Sequence, residues 1–363
     1  IPLQASAAQV QGGVDFGGQL QSLSGTNYLT GLVTMPYGAA IGSAAGSTLN
    51  LMGGVYAGVN ATVGNTELRL VGDGNFVLST TELTTAPGTL YSVINKFGAG
   101  TLWIKSSNST NVTDTAGAGL VVKEGSLVID ANGTWRSKLF IENGASVTVD
   151  DSLVNFDKGR FSNYSSGAYY DLTMRGGSFS LLGALSSAFP SYENFNQLVI
   201  TQGGGTRGAN VLTLTQQNAS FAQTILAFRS TTAWTNATPA QTTGSAGASF
   251  LFRGVGETPA SNRASVQLAV DPSWSGETGA AGTANRAMLP WALVDLTTTG
   301  QGMSFATVGT GGALGRYLRP LDSTEYETNP ATIIGGTNAT PSMSNVQLTG
   351  GATFNVSGTA TRN

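Results

Sequence analysis

Asp150-Asp151, with Glu142 and Asp157 close by, is the densest set of carboxylates in the chain that could do chemistry. Oxygen ligands of this kind hold calcium, and a carboxylate base removes a proton in polysaccharide-cleaving enzymes. Adjacent residues on an extended strand point to opposite faces, so at most one of the pair addresses any one groove, and the expected role is a solvated turn. Aromatic faces are the second candidate chemistry, because tryptophan stacks on sugars. Of Trp103, Trp135, Trp234, Trp274 and Trp291, the ones singled out as ligand or packing aromatics are Trp103, Trp135 and Trp274. Trp103 lies on the strand phase opposite to Leu102 and Ile104, Trp135 falls in a turn beside Arg136, and packing a loop onto the fold is the commoner use of such rings. The stretch 202–208, Gln-Gly-Gly-Gly-Thr-Arg-Gly, imitates a phosphate-cradling loop but lacks a following helix and the terminal Lys-Ser/Thr, so it reads as a turn. Asn-x-Ser/Thr triplets beginning at Asn60, Asn108, Asn111, Asn132 and Asn218 read first as turn residues too.

What is missing narrows the chemistry further. The chain has no cysteine and no histidine, which removes disulfides, thiolate ligands and nucleophiles, the commonest general base and the commonest zinc ligand. No enzyme activity, cofactor or metal is therefore expected. A net charge of −3 without a basic run argues against nucleic acid. No apolar run approaches the ~18–20 residues of a membrane-spanning helix. With 40% hydrophobic residues and little net charge, the chain should nevertheless fold.

The elements that must position these residues are short. Between Asn95 and Asp130, two alternating runs, Thr101–Lys105 and Ser126–Asp130, are each introduced by a glycine, Gly100 and Gly125. A polar Ser/Asn/Thr turn and a third run, Leu120-Val121-Val122, separate them. Comparable runs of three to five residues recur from Gly31 to Phe252, which is strand length rather than helix length. Introducing glycines stand 25, 19 and 33 residues apart at Gly100, Gly125, Gly144 and Gly177, the spacing of a coil with variable turns. Leu102, Ile104, Leu127, Ile129, Leu139, Ile141, Val147 and Val149 occupy alternate positions and should point inward. The plan that follows is a β-helical region over 1–253, a loop or insertion over 254–290, and over 291–363 a continuation of the solenoid leading into another repeat. Within the last part, a single helical turn at Ser323–Glu327 should be capped by Ser323. The opening Ile1-Pro2-Leu3-Gln4 and the strand-like close at 346–356 suggest a piece of something longer.

Gly98-Ala99-Gly100-Thr101-Leu102-Trp103-Ile104, followed by Gly119–Lys123 and Glu124-Gly125-Ser126-Leu127-Val128-Ile129, resembles the autotransporter-associated β-strand repeat. Leu289-Pro290-Trp291-Ala292, Met303–Thr307 and Leu318–Leu321 are similar to a segment found between such repeats in large surface proteins of Gram-negative bacteria. The resemblance implies an all-β fold, a right-handed parallel β-helix (solenoid) with loop insertions. It also implies secretion to an extracellular or outer-membrane-associated cell-surface location and a role in adhesion or in a stalk or fibre. Uncovered terminal coils would pair with neighbouring repeats of the same or identical chains, as a homo-oligomer or filament, and the aromatic residues add surface polysaccharide as an expected partner.

Overall fold

The computed structural model describes residues 20–35, 39–57, 66–79, 83–85, 92–108, 119–154, 159–161, 169–186, 189–200, 209–218, 220, 223–230, 249–259, 264–271 and 279–326. Strands two to seven residues long follow one another round three faces, and up to Leu289–Asp295 each pairs with the strand one coil away rather than with its neighbour in sequence. The first face is an eight-stranded sheet running from Leu20–Ser22 through Ala39–Ser43, Thr66–Val71, Ser92–Lys96, Gly119–Val122, Lys138–Glu142 and Leu172–Arg175 to Leu198–Ile200. The second starts at Thr26–Leu29 and climbs through Thr101–Ile104, Ser126–Ile129 and Ser146–Asp150 to Asn210–Thr215, Phe250–Arg253 and Leu289–Asp295. All pairings up to that point on both faces are parallel, as a coil repeating in one direction demands. This is a parallel β-helix, and eight rungs at about 4.8 Å span roughly 34 Å of axis.

Period-two alternation decides what fills the interior. Thr101↔Ser126, Leu102↔Leu127, Trp103↔Val128 and Ile104↔Ile129 are in register, so like residues stack on like. All eight residues expected to point inward are fully buried and belong to one continuous core. Each contributes about 1.5–3 kcal/mol before chain entropy is counted. The third face carries short rungs early on, such as Val33–Met35, Val55–Ala57 and Thr134–Trp135, then longer ones, Ser191–Phe195, Thr224–Phe228 and Ala264–Leu268. Here the filling is aromatic: Phe161 and Phe195 ring centres lie 5.2 Å apart, and Phe195 and Phe228 are 6.3 Å apart.

Glycines set how closely the turns lie on one another. A Cβ on Gly100 would sit 2.6 Å from the carbonyl carbon of Gly74 and closer still to its oxygen, so the turn at 98–100 rests directly on the one at 72–74. Gly98 adds a φ of +78°, which side chains disfavour. The Gly-x-Gly that opens a strand is thus the contact surface between successive coils.

Two expectations change toward the C-terminus. The span 254–290 contains a fully buried strand, Ala264–Leu268, paired in parallel with Thr224–Phe228. All five of its residues, Ala-Ser-Val-Gln-Leu, are buried, between Gly/Pro-rich stretches that carry the loop signals of the span. Beyond Leu289–Asp295 the chain turns back: Ser304–Thr310 pairs antiparallel with Leu289–Asp295, and Arg316–Pro320 pairs antiparallel with both Ser304–Thr310 and Ala264–Leu268. The second face and the later rungs of the third, Ser191–Phe195, Thr224–Phe228 and Ala264–Leu268, are thereby joined into one fifteen-stranded sheet. The antiparallel strands pair with Leu289–Asp295 and Ala264–Leu268, whose edges a plain parallel stack would leave bare. Glu325 fastens this cap. Its carboxylate takes both Arg319 guanidinium nitrogens at 2.7 Å and the N–H groups of Gly282 (3.0 Å) and Asp322 (2.9 Å). The turn at Ser323–Glu325 is a 3-10 helix capped by Asp322 rather than Ser323.

Candidate functional site

Asp151 follows directly on the second-face strand Ser146–Asp150, and Arg160 reaches it from the next rung of the third face. The Trp135 N–H donates to the Arg160 carbonyl at 2.7 Å, which fixes that rung above Thr134–Trp135. Glu193, on Ser191–Phe195, lies one rung further: one of its oxygens accepts the Arg160 N–H at 2.6 Å and the other the Phe161 N–H at 3.3 Å. Asp151, Arg160 and Glu193 are all fully buried. Every N–H of the Arg160 guanidinium has a partner. Nε donates to Asp151 Oδ1 (2.7 Å), Nη1 to the carbonyls of Ala131 (2.9 Å) and Gly133 (2.7 Å), and Nη2 to those of Asp150 and Val154 (both 2.9 Å). One side chain therefore ties together the turn at 131–133, the end of Ser146–Asp150 and the segment after it.

Electrostatically the cluster is unbalanced. Burial pushes the Asp151 carboxyl up to about 6, against the opposing Arg160 charge and hydrogen bond. Burial also pushes Glu193 up to about 8, helped by the Asp151 charge and opposed by the N–H groups of Arg160 and Phe161. Asp151 Oδ2 has no hydrogen-bond partner. A dry interior makes an isolated anion far costlier than it is in water, which explains both shifts.

The solvated turn expected at Asp150-Asp151 is thus wrong for Asp151, which the chain buries beneath an arginine nine residues downstream. Glu142 stays near the surface in ion pairs with Arg175 (2.8 Å) and Lys123 (3.3 Å). Asp157 lies outside the described residues. Among the described residues, no group of three or more carboxylates is placed to hold a metal ion.

The tryptophans are scattered. Trp103 is half-buried on the outer surface of the second face between Val77 and Val128. Trp135 is 2% exposed, sits in a short strand rather than a loop, and leaves its indole N–H without a partner. Trp291 packs edge-on against Phe250. Trp234, Trp274 and the glycine-rich stretch 202–208 fall outside the described residues.

A groove of about 430 Å³ follows the turns between the first and second faces, with Leu23, Ser43, Phe97, Asp73 and Glu124 along it. Its acids are already used: Asp73 accepts the Ala99 N–H (2.9 Å) and Glu124 the Gly98 N–H (2.8 Å). Beside them the buried Lys96 ammonium donates to the carbonyls of Phe97 (2.9 Å) and Gly98 (2.7 Å). Burial lowers Lys96 to about 8, with Glu124 and Asp73 pulling the other way. Both clusters had a trace in the sequence, since Lys96 and Glu193 are charges within otherwise uncharged segments. Which acid meets which base is set by coil stacking, across separations that local pattern does not encode.

No family model matches this chain, and neither a curated protein nor a solved structure shows significant similarity to it.

Proposed function

We propose that this chain is a structural β-helical module of a bacterial cell-surface or extracellular fibrous protein. It acts by stacking and assembly rather than by catalysis, in keeping with the resemblance of its Gly-x-Gly-Thr-Leu segment to the autotransporter-associated repeat. The observation that carries this reading is that the charged clusters along its turns serve the stacking itself. Arg160 donates to four backbone carbonyls, and Lys96, Asp73 and Glu124 bond to the turn at 97–99. An adhesin on the same scaffold would work through a shared exposed aromatic patch, whereas Trp103 and Trp135 differ in face and depth.

Electron microscopy of the native assembly, together with a screen for glycan binding and polysaccharide cleavage, tests this. Rods or periodic filaments with no saturable glycan binding and no turnover are expected. Cleavage of a polysaccharide, or glycan binding lost in Trp103→Ala, would overturn the structural reading.

A further inference from the structure

Inside the stack, one guanidinium faces two carboxyl groups with no access to solvent. Arg160 gives Asp151 its Nε–H and gives Glu193 its backbone N–H, while its remaining four side-chain N–H groups go to neutral carbonyls. Two carboxylates against a single cation would leave a net negative charge in a dry space, and Asp151 Oδ2 already has no donor. Retaining one proton removes the excess charge.

We propose that Glu193 is kept as a neutral acid beside the Asp151–Arg160 pair, and that this one proton is a pH-sensitive latch holding the Arg160 rung between its neighbours. Among the described residues, the charged groups facing Glu193 are Asp151 and Arg160. Asp150 adjoins Asp151 along the chain and acts on it. The rung beyond presents Leu226 opposite Glu193, and the rung before presents Thr134 and Trp135, which carry no charge. Asp130, below, is paired with Lys105 at 2.8 Å.

Glu193 and Asp151 both titrate above their ordinary values, so the folded rung binds protons that an opened rung releases. The stabilisation is complete below the ordinary carboxylate range and is lost as pH rises toward about 8. The latch tightens in mild acid and loosens in mild alkali. It is a property of the coil whatever the rod is for, so its failure would leave the structural role standing.

The test is hydrogen exchange on the full chain between pH 5 and 9, with the chemical exchange rate divided out. Opening of 159–161 and 191–195 should increase about tenfold per pH unit, hence about a hundredfold from pH 6 to 8, and then level off. In Glu193→Gln, which keeps the shape and a donor but cannot ionise, the rise from pH 6 to 8 should disappear. The wild-type infrared spectrum at pH 7 should also contain a protonated-carboxyl stretch that is gone by pH 9, a readout that does not depend on any variant folding. A flat exchange profile, a Glu193→Gln profile as steep as the wild type, or the absence of that carboxyl band at pH 7 would overturn the proposal.

Discussion

Replacing Gly100 by alanine tests whether the coils are held apart by turn backbone in contact, with Gly31→Ala as the matched control. Neither glycine has a positive φ, so the exchange is the same chemistry on ordinary backbone. A Cβ at Gly31 meets nothing within 4 Å, whereas one at Gly100 lies 2.6 Å from Gly74 C and 3.0 Å from Asp73 C. Ordinary carbon contacts begin near 3.5 Å, so the lower turn must retreat by about 1 Å. That turn is backbone and cannot rotate aside. Overpacking of this kind costs about 1–3 kcal/mol, and disturbing the Thr101 N–H bond to Asn75 (3.0 Å) adds about 1 kcal/mol. Reduced freedom of the unfolded chain returns about 0.4–1 kcal/mol. The net loss is about 2–3 kcal/mol, or roughly 30- to 150-fold in local opening. Gly31→Ala keeps only the reduced freedom of the unfolded chain and should be neutral to about 1 kcal/mol more stable than the wild type. Because a solenoid need not unfold in one step, the assay is hydrogen exchange at Thr101–Ile104 rather than a single melting temperature. Equal protection in the two variants would refute the contact explanation for the glycine spacing.

Arg160→Met leaves Asp151 buried without its cation and should destabilise the central rungs by about 3–5 kcal/mol in denaturant titration. Adding Asp151→Asn should recover part of that loss, which a double-mutant cycle measures. Acid acts oppositely on the cap. The Thr297 N–H, more than offsetting burial, holds Asp295 below its ordinary range. Burial raises Glu325, but the Arg319 side chain and the Gly282 and Asp322 N–H groups outweigh it and hold that carboxyl low as well. Their stabilisation is present above the ordinary carboxylate pKa and is lost as pH falls through the lowered one. Exchange within 279–326 should therefore accelerate near pH 3, while the segments around Arg160 remain protected. Trp135→Ala, which empties a buried site, should cost about 3–5 kcal/mol by chemical denaturation. Trp103→Ala, on the outer surface, should cost about 1 kcal/mol or less.

The strand phase and the inward set were legible because alternation belongs to each segment by itself. Leu102 and Ile104, or Val147 and Val149, have no other way to hide two apolar side chains on one extended run. Glycine before each strand was legible too, but its reason was not: Gly100 is required by the turn beneath it, which only the stacking distance brings into play. The same holds for Asp151. Its sequence neighbours are a strand end and a polar turn, so exposure was the natural expectation, and the residue that buries it arrives with a later coil. Trp135 was read as a turn residue because its strand is two residues long and borrows its order from the rungs on either side.

From the chain alone came the repeating short strands, the face each side chain takes and the coil they build, all consequences of polarity along a few consecutive residues. Tertiary structure decided that the coil ends by folding back as antiparallel strands, and that an arginine with two acids fills its middle. Direction of pairing and partners of buried charge depend on which distant segments lie alongside, and a local pattern of polarity is the same for either outcome.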